Sequence, residues 1–236
     1  MTVLILTIIV LAIDGYFVYV FYQNPQNFPI LGDGVRDVAS AAADDAAVEE
    51  VSSRASITAV VHHATSANIV DNSTYIDHPL INNNPDAVLL ATRVRDQDEG
   101  ASDAHPIGVW YDANRGGKWA IFNQDLAAIP KGAIFNVTFS EGPGEAVFVH
   151  RAISANTVDN STYIDHPLAN NNLDAVLTVT PNWNPGGGTG IYNVHPVGVW
   201  YDDAEEKWAI LNQDLAPMPK RAAFDVAVSD GTTPAK

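Results

Sequence analysis

The sequence predicts a mainly β protein: two tandem antiparallel β-sandwich or barrel-like modules preceded by one N-terminal transmembrane helix. Three observations carry this expectation. The phrase SANIVDNSTYIDHPLINNNPDAVLLAT (66–92) returns 88 residues later as SANTVDNSTYIDHPLANNNLDAVLTVT (154–180), differing at 5 of 27 positions. HPIGVWYD (105–112) likewise returns as HPVGVWYD (195–202), and KWAIFNQDLA (118–127) as KWAILNQDLA (207–216). Within each copy, short runs rich in Val, Ile, Phe, Tyr and Trp alternate with Asn, Asp, Gly and Pro clusters, the rhythm of short strands and turns.

The first element is apolar. Residues 1–22 hold a single charge, Asp14, and as a helix they reach about 33 Å, enough for a hydrocarbon core of about 30 Å. A helix over 1–23 is therefore expected to span a membrane. Tyr16, Tyr19, Phe21 and Tyr22 stand at interfacial depth, and Pro25 and Pro29 end the helix. A cleaved signal peptide is the competing reading. It calls for a basic n-region, but no Lys or Arg precedes Arg36. Asp14, costly inside lipid unless paired, is either a contact with another membrane subunit or a carboxylate hydrated near the interface.

Residues 24–55 divide in two. QNPQNFPILGDG (23–34) reads as an extended spacer. VRDVASAAADDAAVEEVSS (35–53) is acidic and Ala-rich with loosely helical apolar spacing, so a short helical stalk is expected, with a flexible linker as the alternative. Module 1 then occupies 56–140, with strands expected at 57–63, 73–76, 86–93, 106–112, 118–123 and 133–139. Module 2 occupies 145–230, with counterparts at 145–152, 161–164, 174–180, 196–202, 207–212 and 222–228. In both, GVWYD…KWAI reads as a hairpin, one residue shorter in the second copy. The connector SEGPG (140–144) is too short for free swinging.

The framework phrases TYIDHPL, VTPNWNPGG, HPVGVWY, KWAILNQD and MPKRAAFDV together resemble a repeated domain of bacterial secreted and surface proteins, often found in tandem. The resemblance covers both modules and implies no activity. Module 1 departs from the pattern: RVRDQDEGAS (93–102) stands where module 2 has PNWNPGGGTGIY (181–192). A ligand for that loop would be bound by module 2 alone.

Composition narrows the function further. The formal charge is −16, from 12 Lys and Arg against 28 Asp and Glu. Nucleic-acid binding, which needs clustered cations, is not expected. The absence of cysteine removes disulfides, thiol nucleophiles and Cys-ligated zinc. Three histidines recur per module: His62 with His150, His78 with His166, and His105 with His195. Three is the count of a catalytic zinc site, but no close spacing preorganises them, and strand-end hydrogen bonding explains them better. Asp77 and Asp165 each precede a histidine, but neighbours on a strand point to opposite faces, and no GxSxG supplies a nucleophile. The tracts NNNPD (82–86) and NNNLD (170–174) read as turns ahead of calcium loops. The Asn72 and Asn160 sequons, in corresponding places, read as turns too.

The candidate binding surface is the loop Asn182-Trp183-Asn184 with Tyr192, where an aromatic ring beside amides and glycines suits a sugar or a partner protein. Trp110, Trp119, Trp200 and Trp208 are expected in the cores. The resulting expectation is a non-enzymatic, single-pass protein of the cytoplasmic membrane with its bulk on the periplasmic or extracellular side. Its role would be that of an accessory or scaffold subunit. Its partners would be lipid, other membrane-protein subunits and, as a further candidate, glycan, with no cofactor and no metal. The alternatives are a carbohydrate-binding surface adhesin and a subunit of a pilus-like filament.

Overall fold

The computed structural model describes residues 7–13, 16–22, 56–94, 105–229 and 231. The expected 24–55 stalk and the loop around 95–104 lie outside these residues, as does Asp14. The chain divides into two units, Met1–Ser52 and Ser53–Lys236.

The transmembrane helix expected over 1–23 is not shown. Instead β1 (Thr7–Ile13) pairs antiparallel with β2 (Tyr16–Tyr22), from Thr7 opposite Tyr22 to Ile13 opposite Tyr16. Two sequence features account for the difference. The run is dense in β-branched and aromatic residues, which favour strands. The two residues between the strands are Asp-Gly in sequence, among the pairs most favoured in a two-residue hairpin loop. Among the described residues no helix is long and apolar enough to cross a membrane, a statement about helices that leaves strands aside.

The second unit holds both modules, and each is two antiparallel sheets. In module 1 the strands are β3 (Thr58–His63), β4 (Ile69–Val70), β5 (Ser73–Tyr75), β6 (Val88–Val94), β7 (Ile107–Asp112), β8 (Lys118–Asn123) and β9 (Ile134–Ser140). They form a three-stranded sheet β3-β9-β6 and a four-stranded sheet β4-β5-β8-β7. Module 2 repeats this with β10 (Val147–Arg151), β11 (Thr157–Val158), β12 (Ser161–Tyr163), β13 (Val176–Pro181), β14 (Val197–Asp202), β15 (Lys207–Asn212) and β16 (Ala223–Ser229). Its sheets are β10-β16-β13 and β11-β12-β15-β14. The expected strands appear within about two residues, joined by two-residue strands at 69–70 and 157–158.

Alternation fills each core from both sheets. Leu89, Ala91, Phe135, Val137 and Phe139 meet Val109, Tyr111, Trp119 and Ile121 in module 1. Phe224, Val226 and Val228 meet Ile164 and Ile210 in module 2. The turns use the residues the chain supplies for them. Asn83 and Asn171 take φ of 58° and 54°, the left-handed region that Asn tolerates. Asp112 caps the β7–β8 turn by accepting from the Asn114 amide.

Candidate functional site: the loop that clasps the first module

The loop after β13 does not project from module 2. It lies across module 1, over the outer side of β7 and β8. Asn182 forms a parallel bridge with Val109, and the Trp183 amide donates to the Val109 carbonyl at 2.9 Å. The Asn184 side chain then reads the Tyr111 backbone at both ends. Its Oδ1 accepts from the Tyr111 amide at 2.8 Å, and its Nδ2 donates to the Tyr111 carbonyl at 2.9 Å. Further along, the Asn193 amide donates to Gln124 Oε1 at 3.0 Å. Each contact satisfies a backbone group on β7 or the loop that burial would otherwise strand.

Aromatic rings fill the space between these polar contacts. Trp183 meets Trp110 edge-on, with centroids 6.0 Å apart, and lies 5.6 Å from Tyr192. Tyr192 in turn packs edge-on against Phe122 at 6.0 Å. Glycine is required beneath the indole: a Cβ on Gly190 would fall 2.1 Å from the Trp183 carbonyl oxygen and 2.2 Å from its ring. Of the four loop residues expected to bind, Asn182 and Asn184 are buried, Trp183 is half-buried, and Tyr192 is 46% exposed. The two amides are therefore engaged in the junction. Trp183 Nε1 is buried without a hydrogen-bond partner in the structure.

A second set of contacts joins the three-stranded sheets. β6 is an edge strand, and its outward amides are capped by side chains of module 2. Leu89 N donates to Asp225 Oδ2 at 2.8 Å, and Ala91 N to Thr180 Oγ1 at 3.0 Å. Asp225 also accepts from Asn182 Nδ2 at 2.9 Å. It is wholly buried, and the loss of solvent pushes its carboxyl up to about 7, although hydrogen bonds from Asn182 and Leu89 and the charge of Arg151 pull the other way.

The sequence profile of the family described as Domain of unknown function (DUF7452) matches residues 20–138 and again 114–228. The chain belongs to this family. Its two DUF7452 copies run in tandem, and the matches overlap over 114–138, which includes the β7–β8 turn and β8. Neither a curated protein nor a solved structure matches the chain.

The polar residues repeated in both DUF7452 copies fall into separate local ties. His62 Nε2 and Thr74 Oγ1 lie 2.8 Å apart, as do His150 Nε2 and Thr162 Oγ1. Burial lowers both imidazoles to about 4. His78 packs edge-on against Phe139, and His166 stacks on Phe148 at 4.2 Å. His105 Nδ1 pairs with Asp125, and His195 Nδ1 with Asp214 at 2.7 Å. Among the described residues no three of these groups converge where a metal ion would sit. Asp77 and Asp165 turn away from the adjacent histidines toward Lys118 and Lys207. Asn72 and Asn160 donate to the Asn123 and Asn212 carbonyls at 3.0 Å, which makes both sequons part of the turn framework.

Two of the four hairpin tryptophans depart from the expected core position. Trp119 is fully buried and Trp208 packs against its core. Trp110 and Trp200 stand on the outer face, where Trp110 is met by Trp183 and Trp200 is 38% exposed. Sequence reasoning missed Thr180, Asp225, Gln124 and Asn193 as junction residues. One signal was present. The run Val88-Leu89-Leu90-Ala91 is apolar on both faces, which marks a strand covered on both sides, whereas Val176-Leu177-Thr178-Val179 is interrupted by a polar residue.

Proposed function

We propose that the chain is a non-enzymatic structural or interaction protein that holds its two DUF7452 copies as one rigid unit and presents them as an accessory or scaffold subunit of a larger assembly. The observation that carries this reading is the junction. The loop that most distinguishes module 2 is committed to locking the modules together through Asn184 and Trp183, and Asp225 on β16 ties the sheets beside it. A fixed double module offers large, preorganised surfaces, which lowers the entropy cost of binding a partner. The apolar first 22 residues support membrane attachment, with the acidic bulk on the extracytoplasmic side.

Native purification tests this reading. Gentle solubilisation of membranes from the source cells should bring the chain down with stoichiometric partners and should localise it to the membrane fraction. Recovery from the soluble fraction as a lone species would overturn it. A second reading, glycan binding, draws on the exposed Tyr192 ring beside Trp183. It requires glycan-array binding that Tyr192→Ala abolishes while the fold is kept.

A further inference from the structure

The junction between the modules is heterologous: one copy contributes a covering face and the other a covered face. Such a contact, made between near-identical units, leaves the complementary face unused at each end. Each unused face has a used counterpart, position by position.

On the covered face of module 1, Val88, Trp110, Phe122 and Gln124 sit beneath module 2. Val88 is 0% exposed and Gln124 1%, and neither Val88 nor Leu90 belongs to module 1's own core, so module 2 supplies their cover. The same positions in module 2 are Val176, Thr178, Trp200, Leu211 and Gln213. Val176 is 55% exposed and Trp200 38%, while Thr178 and Gln213 are also exposed. Among the described residues the ring contact of Trp200 is with Tyr163, on its own sheet. β13 is an edge strand, as β6 is. The Leu177 and Val179 amides therefore stand in the places of the two β6 amides that Asp225 and Thr180 cap.

On the covering face, the acceptors are Thr180 and Asp225. Module 1 carries Thr92 and Asn136 at those positions, the first identical and the second isosteric, and both are exposed. Asn136 offers the same carbonyl acceptor without a carboxylate to desolvate.

We propose that the open face of module 2, centred on Val176, Trp200 and the β13 edge, docks the Thr92–Asn136 face of module 1 in a second copy of this chain, so that copies join head to tail. Thr92 Oγ1 and Asn136 Oδ1 would accept from the Val179 and Leu177 amides, repeating the contacts inside each chain. The interface is weaker than the internal one, because module 1 has an acidic loop, RVRDQDEGAS, in place of the Trp183 clasp. Head-to-tail docking rests on the interaction role proposed above, and it fails separately from that role. Copurified foreign partners without self-contact would sink only the docking, and self-contact without foreign partners only the accessory role.

The chain has no cysteine, so introduced thiols are unique. Val61→Cys and Thr178→Cys chains, each changed at an exposed strand position, with Val61 opposite Asn136 in register and the acceptors Thr92 and Asn136 kept, are mixed and treated with a short bis-maleimide. Head-to-tail docking predicts mixed dimers several-fold above either homodimer, and a ladder of higher species from the double variant. Adding Val176→Glu to the Thr178→Cys chain should cut the mixed dimer several-fold with circular dichroism unchanged. Mixed dimers no more abundant than homodimers would overturn the proposal, as would indifference to Val176→Glu.

Discussion

Asp225 is the position where one near-isosteric change should reverse sign with pH. Its carboxylate is fully buried and accepts from Leu89 N and Asn182 Nδ2. A carboxyl raised from 3.8 to about 7 binds a proton in the folded state that the unfolded state has released. Folded stability from this group is therefore complete below the unfolded value and is lost as pH rises through about 7. The loss amounts to about 4 kcal/mol by pH 8, at about 1.4 kcal/mol for each pH unit between the unfolded and folded values. Asp225→Asn keeps an acceptor for Leu89 N but sets its amide against the Asn182 amide, at a cost of about 1–2 kcal/mol. The variant should therefore be less stable than the parent at pH 4 and more stable, by roughly 2–3 kcal/mol, at pH 8. The curves should cross at about pH 5. Urea unfolding of both chains across this range, followed by tryptophan fluorescence, measures the difference directly and cancels titrations common to both. A difference that stays flat from pH 4 to pH 8 would refute the assignment of a desolvated carboxylate to the junction.

Other outcomes follow from the same contacts. His62 and His150, lowered to about 4 by burial, should cost stability as pH falls from about 6.5 to 4, by about 3 kcal/mol each. The His62→Gln/His150→Gln chain should lose that acid slope in denaturant titrations. Asn184→Ala strands the Tyr111 amide and carbonyl and should cost about 2–4 kcal/mol, read as a lowered urea midpoint. Trp183→Ala opens a gap against Trp110 and Tyr192 and should cost about 3 kcal/mol. It should also split one unfolding transition into two by calorimetry, since the modules would lose their clasp.

The frame of the protein was legible because it depends on local chemistry written twice. Strand rhythm, the Asn83 and Asn171 turns and the Asp112 cap follow from residue types that act within a few positions of themselves. The N-terminal segment was less legible, because hydrophobicity alone does not separate a helix from a strand. Weighing Ile8, Ile9, Val10, Val18 and Val20 together with the Asp-Gly pair favours the hairpin. The clasp was located but not understood. Its divergence from 93–104 marked it as special, yet a loop rich in Trp, Asn and Gly suits a ligand and a neighbouring module equally. Deciding between them requires knowing what lies across the gap, and Tyr111 and Trp110 are distant in sequence, with Tyr111 73 residues from Asn184. Asp225 was the least legible, since it differs from Asn136 by one functional group and its burial exists only once the modules meet.

That last substitution shows how the junction achieves its register. An edge strand such as β6 invites pairing with any exposed strand, because its outward amides are unfilled. A fourth strand laid along it would satisfy them but would tolerate slippage by two residues, since backbone repeats. Side-chain acceptors do not repeat. Asp225 and Thr180 reach Leu89 and Ala91 and no other pair, while Asn184 brackets Tyr111 alone. A slip in either direction would bury a carboxylate against a carbonyl or leave three amides dry, each costing about 1–3 kcal/mol. The polar groups thus fix where the modules meet, and the rings of Trp183, Trp110, Tyr192 and Phe122 supply the contact area that holds them there. Replacing the acceptors with apolar residues of equal size would remove the discrimination while keeping the area, so Thr180→Val should loosen register more than it loosens affinity.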